Sequence, residues 1–288
     1  MDFLESDFGL RVVLWLQSVP FLPGLLLPFH YLGGEVFYLA LLPAIYWCGS
    51  ADLGRRLMPL FLLSAWTNAF LKESWQRPRP FHVSSAVNPL VGASGFGMPS
   101  GHSQNAVLVG GLLALAARRP AATLALAAYA LLTGLSRLVH GVHYPQDVVA
   151  GWMVGAVFVA AYARFEPAVV PRLRRLGVVQ QLGLVSLLTL ASFTLLPGWV
   201  RPAASHDLAV PCAALGTFFG ASSGFVLEAR YLRFSAGGPR AWKRLLLGLL
   251  VLVPLHVGLR PLPPFARYTI VGLFVSFGAP WIFLKTGQ

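Results

Sequence analysis

Charge is what this 288-residue chain has least of: Asp, Glu, Lys and Arg together make 11%, under half the roughly 25% of an ordinary soluble domain. Hydrophobic residues make 56%, and mean hydropathy is +0.67. No long polar stretch separates the apolar runs, which excludes a pair of soluble domains and predicts one polytopic membrane protein. Cysteine is nearly absent. Cys48 and Cys212 sit in or beside apolar runs and make neither a disulfide framework nor a thiolate metal site. The N-terminus, MDFLESDFG, is acidic where a signal peptide is basic, so no cleavable signal is expected. The net charge of +12 does not point to nucleic acid, because the basic residues lie between apolar runs, as in membrane proteins.

The apolar pattern predicts an all-α, polytopic transmembrane helix bundle of about nine spans, within a range of eight to ten. They run over 35–49, 57–72, 102–117, 121–140, 147–164, 180–197, 208–227, 244–260 and 266–284. The segment before them, 8–32, carries three prolines and several polar groups and reads as an interfacial amphipathic helix rather than a tenth span. Four parts follow: an N-terminal interfacial segment (1–32), a core (33–165), a basic cytoplasmic linker (166–179) and additional C-terminal spans (180–288).

Basic residues divide unevenly between the two membrane faces. The face holding the end of the second span carries Lys72, Arg77, Arg79, Arg137, Arg201, Arg260 and Arg267. The opposite face carries about twice as many, among them Arg55, Arg56, Arg118, Arg119, Arg172, Arg174, Arg175 and Arg240. Cytoplasmic loops are rich in Lys and Arg, so the first face is expected outside the cytoplasm. Arginine far outnumbers lysine, which hints at a bacterial source and hence at an inner-membrane protein whose site faces the periplasm or the exterior.

Three polar stretches meet on that outer face. The first, KESWQRPRP (72–80), follows the second span and places Lys72 and Arg79 beside the stiffening Pro78 and Pro80. The second, GMPSGHSQN (97–105), opens the third span, with Ser100 as N-cap and Gly101 and His102 at a helix start suited to anions. The third, SRLVHGVHYPQD (136–147), holds Ser136, Arg137 and His140 in the last turns of the fourth span. His143 follows in the loop, and Asp147 lies in the first turn of the fifth span, after Pro145. Each stretch alone has a bland explanation, as snorkelling cations or simple caps. Their convergence at the ends of spans two and four and the starts of three and five does not. Several cations beside a helix N-terminus suit a dense anion such as phosphate. A metal fits poorly: His82, His102, His140 and His143 could ligate, but Lys72, Arg79 and Arg137 would repel a dication.

The pattern Lys72-x6-Arg79-Pro80, Pro99-Ser100-Gly101-His102 and Ser136-Arg137-x5-His143-x3-Asp147 resembles the three-part signature of the type 2 phosphatidic acid phosphatase superfamily. That superfamily also contains vanadium haloperoxidases and glucose-6-phosphatase. The resemblance covers about 33–165, and the stretch GGEVFYLALLPAIYWC (33–48), with the extra C-terminal spans, is similar to the longer sphingosine-1-phosphate phosphatase branch.

The resemblance implies a metal-independent, cofactor-free hydrolase of lipid phosphate monoesters. His143 would be the nucleophile, forming a phosphohistidine, with Asp147 orienting it and His102 as acid and then base. Lys72, Arg79, Ser100, Gly101 and Arg137 would bind the phosphate. Ser136 and His140 would stand behind them. The expected partners are the bilayer and a phospholipid or prenyl-phosphate substrate, with no nucleic acid. The same chemistry could serve a polyprenyl (undecaprenyl) pyrophosphate, lipid A or a sugar phosphate. A non-enzymatic phosphate-binding membrane protein would not need the His102, His143 and Asp147 set. The 18 residues between Pro80 and Pro99 are long for a bare connection and are expected to lie over the site and help choose the substrate.

Overall fold

Residues 8–195, 208–238 and 241–287 are described in a computed structural model. Among them every regular element is helical. In chain order these are α1 (Gly9–Gln17), α2 (Leu22–Leu32), α3 (Glu35–Ala44), α4 (Ala51–Trp75), α5 (Pro80–Val83), α6 (Gly101–Ala117) and α7 (Pro120–Val139). They continue with α8 (Pro145–Arg175), α9 (Val178–Thr194), α10 (Ala209–Tyr231), α11 (Ala241–Gly258), α12 (Pro264–Leu273) and α13 (Ala279–Lys285). Wider π turns at Ile45–Gly49 and Phe274–Gly278 extend α3 and join α12 to α13.

Five stretches among the described residues are long and apolar enough to cross a membrane: Pro120–Val139, Pro145–Arg175, Ala209–Tyr231, Ala241–Gly258 and Pro264–Lys285. The other expected spans are helices too, for reasons that keep them below that mark. Glu35–Gly49 and Val178–Thr194 are apolar but short. α6 has 17 residues, about 26 Å at 1.5 Å per residue. α4 has 25 residues but carries Asp52, Arg55, Arg56, Lys72 and Glu73. Residues 196–197 of the expected sixth span lie outside the described residues, as do residues 1–7 and the charged Arg201 and Arg240. The N-terminal segment is not one helix. α1 and α2 meet at 111°, across a break holding Pro20, where the Ser18 hydroxyl donates to Trp15 O at 2.7 Å and competes with helix continuation.

The chain divides into two compact units. The first comprises the residues up to Tyr38 together with Thr67–Ala163. In it, α2 lies against α7, where Leu16, Leu26 and Val139 form a buried cluster with Leu135 and Leu138 around them. α8 approaches the start of α6 through glycines. A Cβ on Gly151 would stand 2.4 Å from Ser100 O, and one on Gly155 would stand 2.6 Å from Gln104 O. Small residues permit such backbone approach between membrane helices, and here the approach carries the first turn of α8 to the first turn of α6.

The second unit comprises Leu39–Trp66 and the residues from Arg164 on. α10 packs on α12 and the turn after it through Gly216, Gly220 and Gly224, whose Cβ positions would collide with Phe265 O, Thr269 O and Ser276 Oγ. Trp47 Nε1 donates to Val275 O at 2.9 Å, and Tyr46 OH to Ser276 O at 3.1 Å. Sequence alone leaves Glu228 to pair with Arg230 or another arginine. It is fully buried and paired with Arg55, Nε to Oε2 at 2.9 Å and Nη2 to Oε1 at 3.0 Å. It also accepts the Phe234 N–H.

Glu228→Ala should therefore leave the Phe234 N–H without its acceptor and the Arg55 guanidinium without its counter-charge, holding only the Phe234 carbonyl. The expected cost is about 2–4 kcal/mol, seen as a lower unfolding midpoint in detergent. Glu228→Gln, which can still accept from Phe234, should lose less. Equal midpoints for wild type and both variants would remove the pair from the stability account.

Candidate active site

All the sequence-predicted site residues fall in the first unit. Lys72 lies in the last turn of α4, and its ammonium donates to Phe96 O at 2.6 Å. Arg79 is extended just before the short α5 and only 4% exposed. Its guanidinium donates to Ser94 O at 2.7 Å, Gly95 O at 2.9 Å and Val142 O at 2.8 Å. Both cations are thus gripped by backbone carbonyls of the 84–99 segment, which the expected covering loop supplies from its C-terminal half.

His143 lies in the 140–144 connection between α7 and α8 and is buried. Its Nε2 stands 3.2 Å from Arg79 Nη1, and its Nδ1 stands 3.3 Å from Asp147 Oδ2. A guanidinium only donates, so Nε2 accepts. The ring proton then belongs on Nδ1, facing the carboxylate. This tautomer leaves the Nε2 lone pair on the side of the cations. Asp147 Oδ2 is fixed by the Tyr144 N–H at 2.9 Å, and Asp147 O accepts the Ser100 N–H at 2.9 Å.

Electrostatics agree with that assignment. Burial, together with the charges of Lys72, Arg79 and Arg137, holds the His143 imidazole well below its ordinary pKa of 6.5. It stays neutral because its cationic form would be both desolvated and repelled. Burial brings Arg79 down to about 10, with Asp147 pulling the other way, so the guanidinium remains charged at neutral pH.

Ser100 is the N-cap of α6, accepting from Ser103 N–H at 3.4 Å and from the Ser103 hydroxyl at 3.0 Å. Gly101 comes next, packed against Asn68, whose Nδ2 donates to Pro99 O and Gln104 Oε1. His102 Nε2 is buried and has no hydrogen-bond partner. Arg137, 2% exposed in the last turn of α7, likewise keeps a buried Nε without a partner. Unmade donors and acceptors of this kind are costly when buried, and here they lie among the cations and His143.

Ser136 and His140 do not reach the His143–Asp147 pair. The Ser136 hydroxyl donates to Thr133 O at 2.7 Å, and the Ser136 carbonyl meets His140 Nδ1. His140 O accepts the Leu90 N–H at 3.1 Å, so this residue ties the covering loop down. Two residues were missed from sequence. Gly97 leaves room for the carboxylate, since its Cβ would stand 3.0 Å from Asp147 Oδ2. Its place in the GMPSGH stretch was the available signal. His30, from α2, meets Arg137 Nη1 at 2.6 Å, and a lone histidine in an apolar segment gives no signal of that.

Residues 56–170 match the PAP2 superfamily, and residues 212–288 match the transmembrane extension of PAP2 superfamily phosphatases. Sphingosine-1-phosphate phosphatase 2 of Mus musculus is 29% identical over 136 residues, covering 45% of this chain and 38% of that protein. Phosphatidylglycerophosphatase B of Bacillus subtilis is 35% identical over 97 residues, covering 31% of this chain and 45% of that one. The chain thus spans less than half the length of these curated relatives. The crystal structure of Aquifex aeolicus LpxE superposes with a TM-score of 0.52 at 23% identity, over 57% of this chain and 100% of the other, a likeness of fold. The first matched segment contains every residue from Lys72 to Asp147. His30 lies before it.

The electrostatics of His143 can be checked directly. Its ring should be neutral by 15N NMR at pH 6, where an ordinary histidine is mostly protonated. A His143 titrating near 6.5 would mean that burial and the three cations together do not disfavour its charged form.

Proposed function

This chain carries a PAP2 superfamily domain with the PAP2 transmembrane extension, and from that premise we propose that it is an integral membrane, metal-independent hydrolase of lipid phosphate monoesters. The observation that carries this reading is the buried neutral His143, with its Nδ1 on Asp147 and its Nε2 beside Arg79.

His143 Nε2 attacks phosphorus as the bond to the leaving oxygen breaks. A phosphohistidine forms, and the cationic ring is stabilised by Asp147. His102 gives its proton to the departing alkoxide. It then takes a proton from water as that water attacks phosphorus and the N–P bond breaks, restoring His143. Lys72, Arg79, Arg137, Ser100 and the Gly101 N–H hold the equatorial oxygens, whose charge is the main thing to stabilise in phosphoryl transfer. Fixed cations take the part that a divalent ion plays elsewhere.

Two relatives bear the names of a sphingosine-1-phosphate and a phosphatidylglycerophosphate phosphatase, which supports a lipid phosphomonoester. Polyprenyl pyrophosphate, lipid A and sugar phosphates belong in the same substrate panel. In this reading nine helices cross the membrane, the site faces away from the cytoplasm, and the membrane is a bacterial inner membrane. The charge asymmetry between the loops supports that orientation.

Purified protein should release phosphate from a lipid phosphate in the presence of EDTA. His143→Ala should lower turnover about a thousandfold or more, and His140→Ala about tenfold at most. Turnover that requires an added divalent metal would overturn the reading. Orientation is separable. In a Cys48→Ser, Cys212→Ser background, Ser85→Cys should react with an impermeant maleimide on intact cells and Arg119→Cys should not. The reverse labelling would invert the topology.

A further inference from the structure

We propose that His30, supplied by the N-terminal helix pair, is a positioning residue of the phosphate site: it holds the Arg137 guanidinium so that its Nε edge faces the phosphate. This rests on the hydrolase reading above for its meaning, but not for its test.

The two residues are 107 positions apart in sequence, yet Arg137 Nη1 lies 2.6 Å from His30 Nδ1. A guanidinium cannot accept a hydrogen bond. Nδ1 of His30 is therefore the acceptor, and the imidazole is neutral with its proton on Nε2. Because a guanidinium is planar and rigid, fixing Nη1 helps fix the plane. Nη1 stands across the group from the Nε–Nη2 edge, which is the fork that matches two oxygens of a phosphate. The Nε of that edge is buried and has no partner. One edge is taken by His30, and the Nε on the other still lacks an acceptor, as a docking site for an anion requires.

The same imidazole lies nearly parallel to that of His102, with ring centroids 5.5 Å apart and planes 8° from parallel. The His140 ring has its centroid 6.0 Å away. His30 therefore meets the proposed oxygen-binding arginine directly and neighbours the residue assigned to the leaving group. Its own helix is seated independently. Leu26 belongs to the buried cluster with Val139. Gly33, just after α2, is so close that a Cβ would stand 2.7 Å from Thr133 Cγ2 and 2.9 Å from His102 Cδ2. At the other end of the pair, Gln17 Nε2 donates to Asn88 O at 2.6 Å, and Asn88 N–H donates to Gln17 Oε1 at 3.3 Å. The N-terminal pair thus grips the covering loop and the site together.

Two substitutions separate the acceptor from the ring. His30→Asn keeps an acceptor oxygen near the position of Nδ1 and loses the imidazole. His30→Phe keeps a flat ring and loses the acceptor. Affinity for inorganic phosphate is measured by calorimetry on the purified full chain in detergent, beside KM and kcat for phosphate release. His30→Phe and His30→Ala should weaken phosphate binding about tenfold, the scale of one charge-assisted hydrogen bond. His30→Asn should stay within about threefold of wild type, and KM should follow the same order. Asn losing as much as Phe, or Phe binding as wild type does, overturns the proposal. Phosphate binding is read apart from turnover. A wild type that binds phosphate but hydrolyses nothing would sink the hydrolase reading alone, and the Asn–Phe comparison would still decide the role of His30.

Discussion

Three like charges cannot be taken out of water together unless something else solvates them. Arg79 and Arg137, buried, and Lys72, half-buried, meet this condition in the first unit, and the backbone of residues 94–96 answers it for two of them. Desolvating a single cation costs several kcal/mol after relaxation, and the mutual repulsion of three adds to that. Arg79 is solvated by three carbonyls, Lys72 by the neighbouring peptide of Phe96, and Arg137 in part by an imidazole. The carbonyl dipoles lower the cost without cancelling the charge. The positive potential remains, and it adds to burial in keeping His143 neutral. One constraint thus bears on both the path of the loop and the protonation state of the proposed nucleophile.

The cationic centre was legible in the sequence because its residues sit at the ends of apolar runs. A run that terminates in Lys72 or Arg137, or begins at Ser100 or Pro145, fixes which end of a helix the polar group occupies. Alternation of spans then brings those ends to one face. The exact spacing of His143 and Asp147 across a helix start adds the hydrogen-bonded pair seen at 3.3 Å. Backbone partners were not legible. The carbonyls of Ser94, Gly95 and Phe96 have no residue-type signature, since any residue could offer them. His30 escaped for a different reason: its partner is set by the docking of α2 on α7, which no spacing within the apolar segment reveals. Glu228 shows the same limit, because charge pairing between distant segments leaves no spacing to read. α4 holds polar residues that a site and an ion pair require, so it is less apolar than the five candidate spans although it has 25 residues.

Close helix approaches in both units run through glycines that face backbone. In the first unit this has a chemical result. Gly151 and Gly155 let α8 lie against the first turn of α6, and the Ser100 N–H meets the Asp147 carbonyl as part of that approach. A helix cap and an orienting carboxylate are therefore set by one contact, so the α6–α8 spacing and the orientation of His143 are mechanically linked.

The grip of the 84–99 loop on Lys72 and Arg79 runs through main-chain oxygens. The side chains of Ser94 and Phe96 are not consumed in holding the cations, and neither are those of the apolar 89–93 stretch, which borders a surface hollow with Phe81. The hold on the cations and the outer contour of the loop are thereby written in different parts of the same peptide. Mutation can rewrite the contour while the charged centre stays solvated. A loop built in this way leaves its side chains free to vary while its main chain keeps solvating the cations.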